Sequence, residues 1–168
     1  MELYTRFVYN NAHGVRTITA GVISQRQSAS VLKTLERLLA RRKGDVFLRA
    51  DFTTLGSTSQ VGTALRRLVD AGTLMRIGQG IYTRAEPSII DGRPVPIKSL
   101  TPLMAEALAR FGVKTGPTKL ERDQLQGKST QVPSGRLIGV DRPVRRKLGY
   151  HGVTMRFERV KAGQMPTN

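Results

Sequence analysis

Cysteine and tryptophan are absent from this 168-residue sequence, and its two histidines, His13 and His151, lie far apart. Without cysteine there are no disulfides and no thiolate metal sites, a pattern that fits a reducing compartment. Two isolated histidines without ligand-like neighbours speak against a zinc site. Four tyrosines and five phenylalanines are few for the aromatic platforms on which single-strand binders stack bases. No apolar run reaches the roughly 20 residues of a membrane helix. The N-terminus also lacks the apolar core of a secretory signal. The expected location is the cytoplasm, with no membrane partner. Catalytic groupings are missing too. Gly78-Gln79-Gly80 is too short for a Walker loop, and no Gly-Lys-Ser/Thr directly follows it. Metal-dependent nucleases need clustered carboxylates, whereas Glu106, Glu121, Asp123, Asp141 and Glu158 are scattered. The expectation is a non-enzyme without metal or cofactor.

What the chain has in excess is positive charge. Lys and Arg number 28 against 12 Asp and Glu, a formal net charge of +16. Such a surplus points to a polyanionic partner, most simply nucleic acid. The halves share it: residues 1–86 carry +7 and residues 87–168 carry +9.

The stretch 44–84 organises the rest. It reads as a short helix, a turn at Gly56, a second helix and a β-hairpin, the order of parts in a winged helix-turn-helix. The second helix is expected over Ser57–Ala71. Val61, Ala64, Leu65 and Leu68 give it one apolar stripe at i, i+3, i+4, i+7. Ser57 is placed to cap it, with Gln60 completing a capping box, and Gly72 marks its exit. Leu48, Phe52 and Leu55 fit one buried face of the short helix before it. Leu74–Ile77 and Ile81–Arg84 read as strands around the tip Gly78-Gln79-Gly80.

The face opposite the apolar stripe nominates the readers of a DNA groove: Ser57, Thr58, Ser59, Gln60, Thr63, Arg66 and Arg67. Glutamine pairs with adenine and arginine with guanine on major-groove edges. In the wing, Arg76, Gln79 and Arg84 are expected outward, against phosphates or in a minor groove. Arg41, Arg42 and Lys43 crowd the last turn of the preceding helix, where the helix dipole favours cations. The same cluster is equally suited to hold the DNA backbone. Further phosphate contacts are nominated at Arg142, Arg145, Arg146 and Lys147. The plainer alternative for that segment is a charged edge strand guarded against aggregation.

Taken in order, residues 1–27 read as an arm or tail, with strands near Tyr4–Tyr9 and Thr17–Ile23 and with Arg6, Arg16 and Arg26 suited to track phosphates. Residues 28–43 read as a helix capped by Ser28 or Ser30, with Val31, Leu35, Leu38 and Leu39 inward. The winged helix-turn-helix would span 28–86. Residues 87–100, with three prolines, read as a stiff linker. Residues 101–160 are expected to form a small α/β domain. Its first helix would be capped by Thr101 with Pro102 at the first position, and a shorter one would run over Pro117–Gln126. Arg136–Val140, Val144–Leu148 and Val153–Val160 would form an antiparallel sheet, and 161–168 a frayed tail. The fold class is thus α+β.

From Gly44 to about Val160 the chain resembles the short AbiEi-like antitoxins of type IV toxin-antitoxin systems. The residues that carry the likeness are GDVFLRADFTTLGS, ALRRLVDAGTLMRIGQGIYTR and LQGKSTQVPSGRLIGVDRP, with Ser129-Thr130-Gln131-Val132-Pro133 the most distinctive. The resemblance implies a winged helix that binds repeats in its own promoter and represses it. It also implies a C-terminal domain that counters a nucleotidyltransferase-like toxin without stable toxin contact. Residues 1–27 have no counterpart in that family, and the C-terminal domain here is short and unusually basic.

The function expected on these grounds is a sequence-specific double-stranded DNA-binding repressor, autoregulating as the antitoxin of its operon and associated with the nucleoid. Two other classes stand beside it. One is an RNA-binding module gripping a folded RNA through Arg136, Arg142, Arg145, Arg146, Lys147 and Arg156, by shape and phosphate contact. The other is a protein-binding adaptor, which the charge disfavours. The sequence has no heptad zipper and leaves the oligomeric state open.

Overall fold

The computed structural model describes residues 19–161, with side chains described from residue 29 onward. In chain order the elements are α1 (Thr19–Arg41), β1 (Val46–Leu48), a 3-10 helix (Arg49–Leu55), α2 (Thr58–Asp70), β2 (Leu74–Gly78), β3 (Ile81–Pro87), β4 (Pro94–Pro96), α3 (Leu100–Ala109), β5 (Thr115–Gly116), α4 (Lys119–Leu125), β6 (Leu137–Val140), β7 (Gly149–Tyr150), β8 (Val153–Thr154) and β9 (Arg156–Arg159). The fold is α+β. The expected strands near Tyr4–Tyr9 and the tail from residue 162 lie outside the described residues.

Helix α2 forms as its pattern requires. Ser57 accepts from the Gln60 N–H and Gln60 answers to the Ser57 N–H, at 3.3 and 2.9 Å. Val61, Ala64, Leu65 and Leu68 are buried on its inner face. At its end Gly72 takes the left-handed conformation, φ 72°, which costs a residue without Cβ nothing. The inner face packs with Val31, Leu35 and Leu39 of α1 and with Phe52 of the 3-10 helix.

The antiparallel sheet β1-β3-β2 is covered on both faces. Phe47, Leu74 and Tyr82 face the α1/α2 cluster. Val46, Met75, Ile77 and Ile81 face a second cluster that contains Leu100, Leu103, Met104, Ala107 and Leu108 of α3, together with Ile138, Val140, Leu148 and Met155. Residues before and after the proline-rich stretch therefore share one core. That stretch is more than a tether, because β4 extends the sheet by pairing with β3, Ala85 opposite Pro96.

Several expectations need correction. Helix α1 begins at Thr19, so the strand expected over Thr17–Ile23 is helical from there on, and Ser28 and Ser30 lie inside the helix rather than capping it. Leu48 ends a strand instead of opening a helix. The cap position of α3 is Ser99, and Thr101 instead donates its hydroxyl to the Gly135 carbonyl at 3.0 Å. No strand forms over Val144–Leu148. The run Val153–Val160 breaks at Met155 into β8 and β9. The sheet expected to be antiparallel is mixed: β5 pairs antiparallel with β6, but β6 pairs parallel with β9.

Carboxylates tie the layers together. Glu106 of α3 accepts from the N–H groups of Asp45 and Val46, each at 3.0 Å. A Cβ on Gly44 would stand 2.7 Å from that same oxygen, so a side chain there would push the Glu106 carboxylate off this position. The buried Asp45 pairs with Arg84 and Lys98. Asp51 accepts from the Leu48 N–H and from Arg42, and pairs with Arg110 beyond α3. Burial works to raise the Asp51 carboxyl, but the Leu48 N–H and the Arg110 and Arg42 guanidiniums outweigh it and hold it below the usual carboxylate range.

A group whose folded pKa is lowered contributes stability above its unfolded value, and that contribution is lost as pH falls through the folded one. Asp51→Asn should therefore cost about 1–3 kcal/mol at neutral pH. The gap to the wild type should close as pH falls below about 3.9. Denaturant melts of both proteins across pH check this, and a gap independent of pH would refute it. Thr83 presents the opposite case, a hydroxyl in the core without a hydrogen-bond partner. Thr83→Val should be neutral or stabilising by about 1 kcal/mol, because it removes a desolvated polar atom. A loss of stability in thermal melts would show that the hydroxyl has a partner.

Candidate functional site

The outer face of α2 and the β2–β3 hairpin form the walls of a cleft of about 1020 Å³. Ser59, Gly62, Thr63, Arg66 and Val69 line it from the helix, and Arg76, Gln79, Gly80 and Tyr82 from the hairpin. Arg49 of the 3-10 helix and Arg146 of the C-terminal half complete it. Four arginines from four separate elements thus surround one space, and no lining residue is acidic. Such an arrangement concentrates positive potential in a low-dielectric concavity and suits a polyanion.

Local contacts fix these side chains. The Arg49 backbone N–H donates to the Gly80 carbonyl at 2.9 Å, which clips the 3-10 helix to the hairpin tip. Its guanidinium donates to the Thr58 carbonyl at 2.7 Å and lies along α2 over Gly62. A Cβ on Gly62 would stand 3.1 Å from that guanidinium. A side chain there would ask the guanidinium to shift by a few tenths of an ångström, in a helix where glycine costs about 1 kcal/mol relative to alanine. Arg76 Nε donates to the Gly78 carbonyl at 3.1 Å. Gly80 adopts φ 68°, the left-handed turn the tip needs. The Arg146 guanidinium carbon lies 4.3 Å from the centre of the Phe111 ring.

Of the residues singled out from sequence, the cleft brings together Ser59, Thr63, Arg66, Arg76, Gln79 and Arg146. Arg67 is exposed on the flank of α2, outside the cleft. Ser57 and Gln60 form the capping box, and Thr58 supplies the carbonyl that Arg49 uses. Arg84 does not face outward from the hairpin. It donates to the Leu39 and Arg42 carbonyls at 2.6 and 2.7 Å, pairs with Asp45 and stacks on Phe47. The alternation that placed it outward presumes one wet sheet face, and here both faces are covered. Arg42 is spent on Asp51 and on the Phe52 ring, while Arg41 and Lys43 beside it are exposed. In the C-terminal half Arg142 pairs with Asp141, and Arg145 and Lys147 are exposed. The cleft arginine that sequence reasoning missed is Arg49, and its one signal is the glycine in mid-helix at position 62.

Residues 31–161 match the profile of DUF6088, a family of unknown function. The chain belongs to this family. The DUF6088 match takes in every residue that lines the cleft. No curated protein and no solved structure matches the chain. Among the described residues no helix is long and apolar enough to cross a membrane.

Gly62 separates stability from the site. Gly62→Ala should keep the fold and, by helix propensity, stabilise α2 by up to about 1 kcal/mol. It should also displace the Arg49 guanidinium and weaken polyanion binding. Thermal melts and fluorescence anisotropy on a labelled duplex measure the two effects separately. Unchanged binding would show that the position of the Arg49 guanidinium over Gly62 does not matter for binding.

Proposed function

We propose that this chain is a sequence-specific double-stranded DNA-binding repressor built as a winged helix-turn-helix. The observation that carries the reading is the acid-free basic cleft between the outer face of α2 and the β2–β3 hairpin. Helix α2 enters the major groove, where Ser59, Thr63 and Arg66 reach base edges and Arg67 follows the flanking strand. Arg49 and Arg76 take the phosphates that run through the cleft, with the Gln79 tip beside them. Arg41 and Lys43 reach phosphates beyond the end of α1. Short polar groups and arginine on an exposed helix face suit base-edge readout, while arginines in the concavity position the backbone.

The resemblance to AbiEi-like antitoxins supplies the setting: a nucleoid-associated protein that represses its own promoter at repeated sites, with a functional link to a nucleotidyltransferase-like toxin. The basic surface would also accept RNA, so the decisive comparison is between polyanions. The wild-type chain should shift a duplex from upstream of its own gene in preference to a scrambled duplex and to structured RNA at matched salt. Arg66→Ala should weaken that complex by about 1–3 kcal/mol, roughly 5-fold to 150-fold, and narrow the preference. Equal affinity for all duplexes, or tighter binding of the RNA, would sink the reading.

A further inference from the structure

The irregular segment 141–148 lies directly against the hairpin. Leu148 is buried, and its Cδ2 atom would stand 2.8 Å from a Cβ on Gly78, with the Lys147 carbonyl at 3.4 Å. The Leu148 carbonyl also accepts from the Met155 N–H at 2.8 Å. The segment is thus anchored on both sides. From it, consecutive residues diverge. Arg146 lines the large cleft, while Lys147 lines a neighbouring one of about 340 Å³. Arg76 and Gln79 line both clefts, so the hairpin tip stands between them. The Phe111 ring holds the Arg146 guanidinium by its π face, a contact that consumes none of the five N–H donors. Those donors remain for the forked recognition of a phosphate.

A duplex minor groove is only about 6 Å wide, with a phosphate strand along each wall. A hairpin tip that enters it meets phosphates on both sides. We infer that the C-terminal half is a second arm of the same duplex-binding surface, with Arg146 and Lys147 gripping the two phosphate strands that flank the inserted tip, and with Phe111 positioning Arg146. The inference rests on the duplex-DNA reading of the cleft.

The test is a salt titration of full-length protein on the preferred duplex. Arg146→Ala and Lys147→Ala should each reduce the slope of log K against log salt by about 0.9, the share of one phosphate. Arg146→Lys should keep the slope, because the charge remains, and lose affinity, because the forked guanidinium over the Phe111 ring is gone. Phe111→Leu, checked for folding by thermal melt, should weaken binding several-fold in the Arg146 protein and have no effect in the Arg146→Ala protein. If Arg66→Ala loses binding while Arg146→Ala and Lys147→Ala keep the wild-type affinity and slope, the second arm is refuted and the cleft reading stands. If the wild-type chain binds no duplex, the cleft reading falls and the second arm falls with it.

Discussion

Glu106 reaching from α3 to the backbone N–H groups of Asp45 and Val46 joins the two halves of this molecule. That contact sets α3 against β1 and so places an apolar layer over the second face of the sheet. Asp45 and Asp51 extend the same join, drawing Arg84, Lys98, Arg42 and Arg110 into it. The arrangement has an electrostatic consequence. The chain has 12 carboxylate side chains against 28 cations, and three of those carboxylates are committed to holding layers together. The cations drawn to them are committed as well. Four arginines line the cleft with no acid among its lining residues, so their charge has no carboxylate beside it there.

The two-sided sheet also explains which parts of the fold were legible in the sequence. Helix α2, its capping box, its glycine exit and the hairpin depend on neighbours within a few residues, and the structure bears them out. Strand β1 was not legible, because Leu48 fits a helical spacing with Phe52 and Leu55 as well as it fits a strand. Its assignment is decided by the pairing of Val46 with Thr83 and Phe47 with Tyr82, a contact distant in sequence. Arg84 shows the same limit. Local alternation sets it beside Arg76, but α1 arrives over that face and presents the Leu39 carbonyl, and the turn after it presents the Arg42 carbonyl and the Asp45 carboxylate. The parallel pairing of β6 with β9 is likewise a tertiary outcome.

The candidate site was legible to the extent that it is helical. Ser59, Thr63 and Arg66 fall on the outer face of α2 because Val61, Ala64, Leu65 and Leu68 fix the inner one. Arg76 and Gln79 follow from the hairpin. Arg49 and Arg146 do not follow from any periodicity, since one lies in a 3-10 helix and the other in an irregular segment. Both are placed by contacts that only the folded chain creates, Arg49 with the Gly80 and Thr58 carbonyls and Arg146 with the Phe111 ring.

The irregular backbone of 141–148 matters more for the site than the strand expected there would have. In a strand, side chains alternate between two faces, so Arg146 would stand opposite both Arg145 and Lys147. A ladder would also fix the whole segment to one edge. Without it, the segment is tethered by Leu148 under the hairpin and by the Phe111 ring at Arg146, and Arg146 and Lys147 line clefts that share the hairpin tip. The second half does more than cover the sheet. It brings its own arginine to the cleft that α2 and the hairpin begin, and Gly78, by offering no Cβ, lets it approach closely enough to do so.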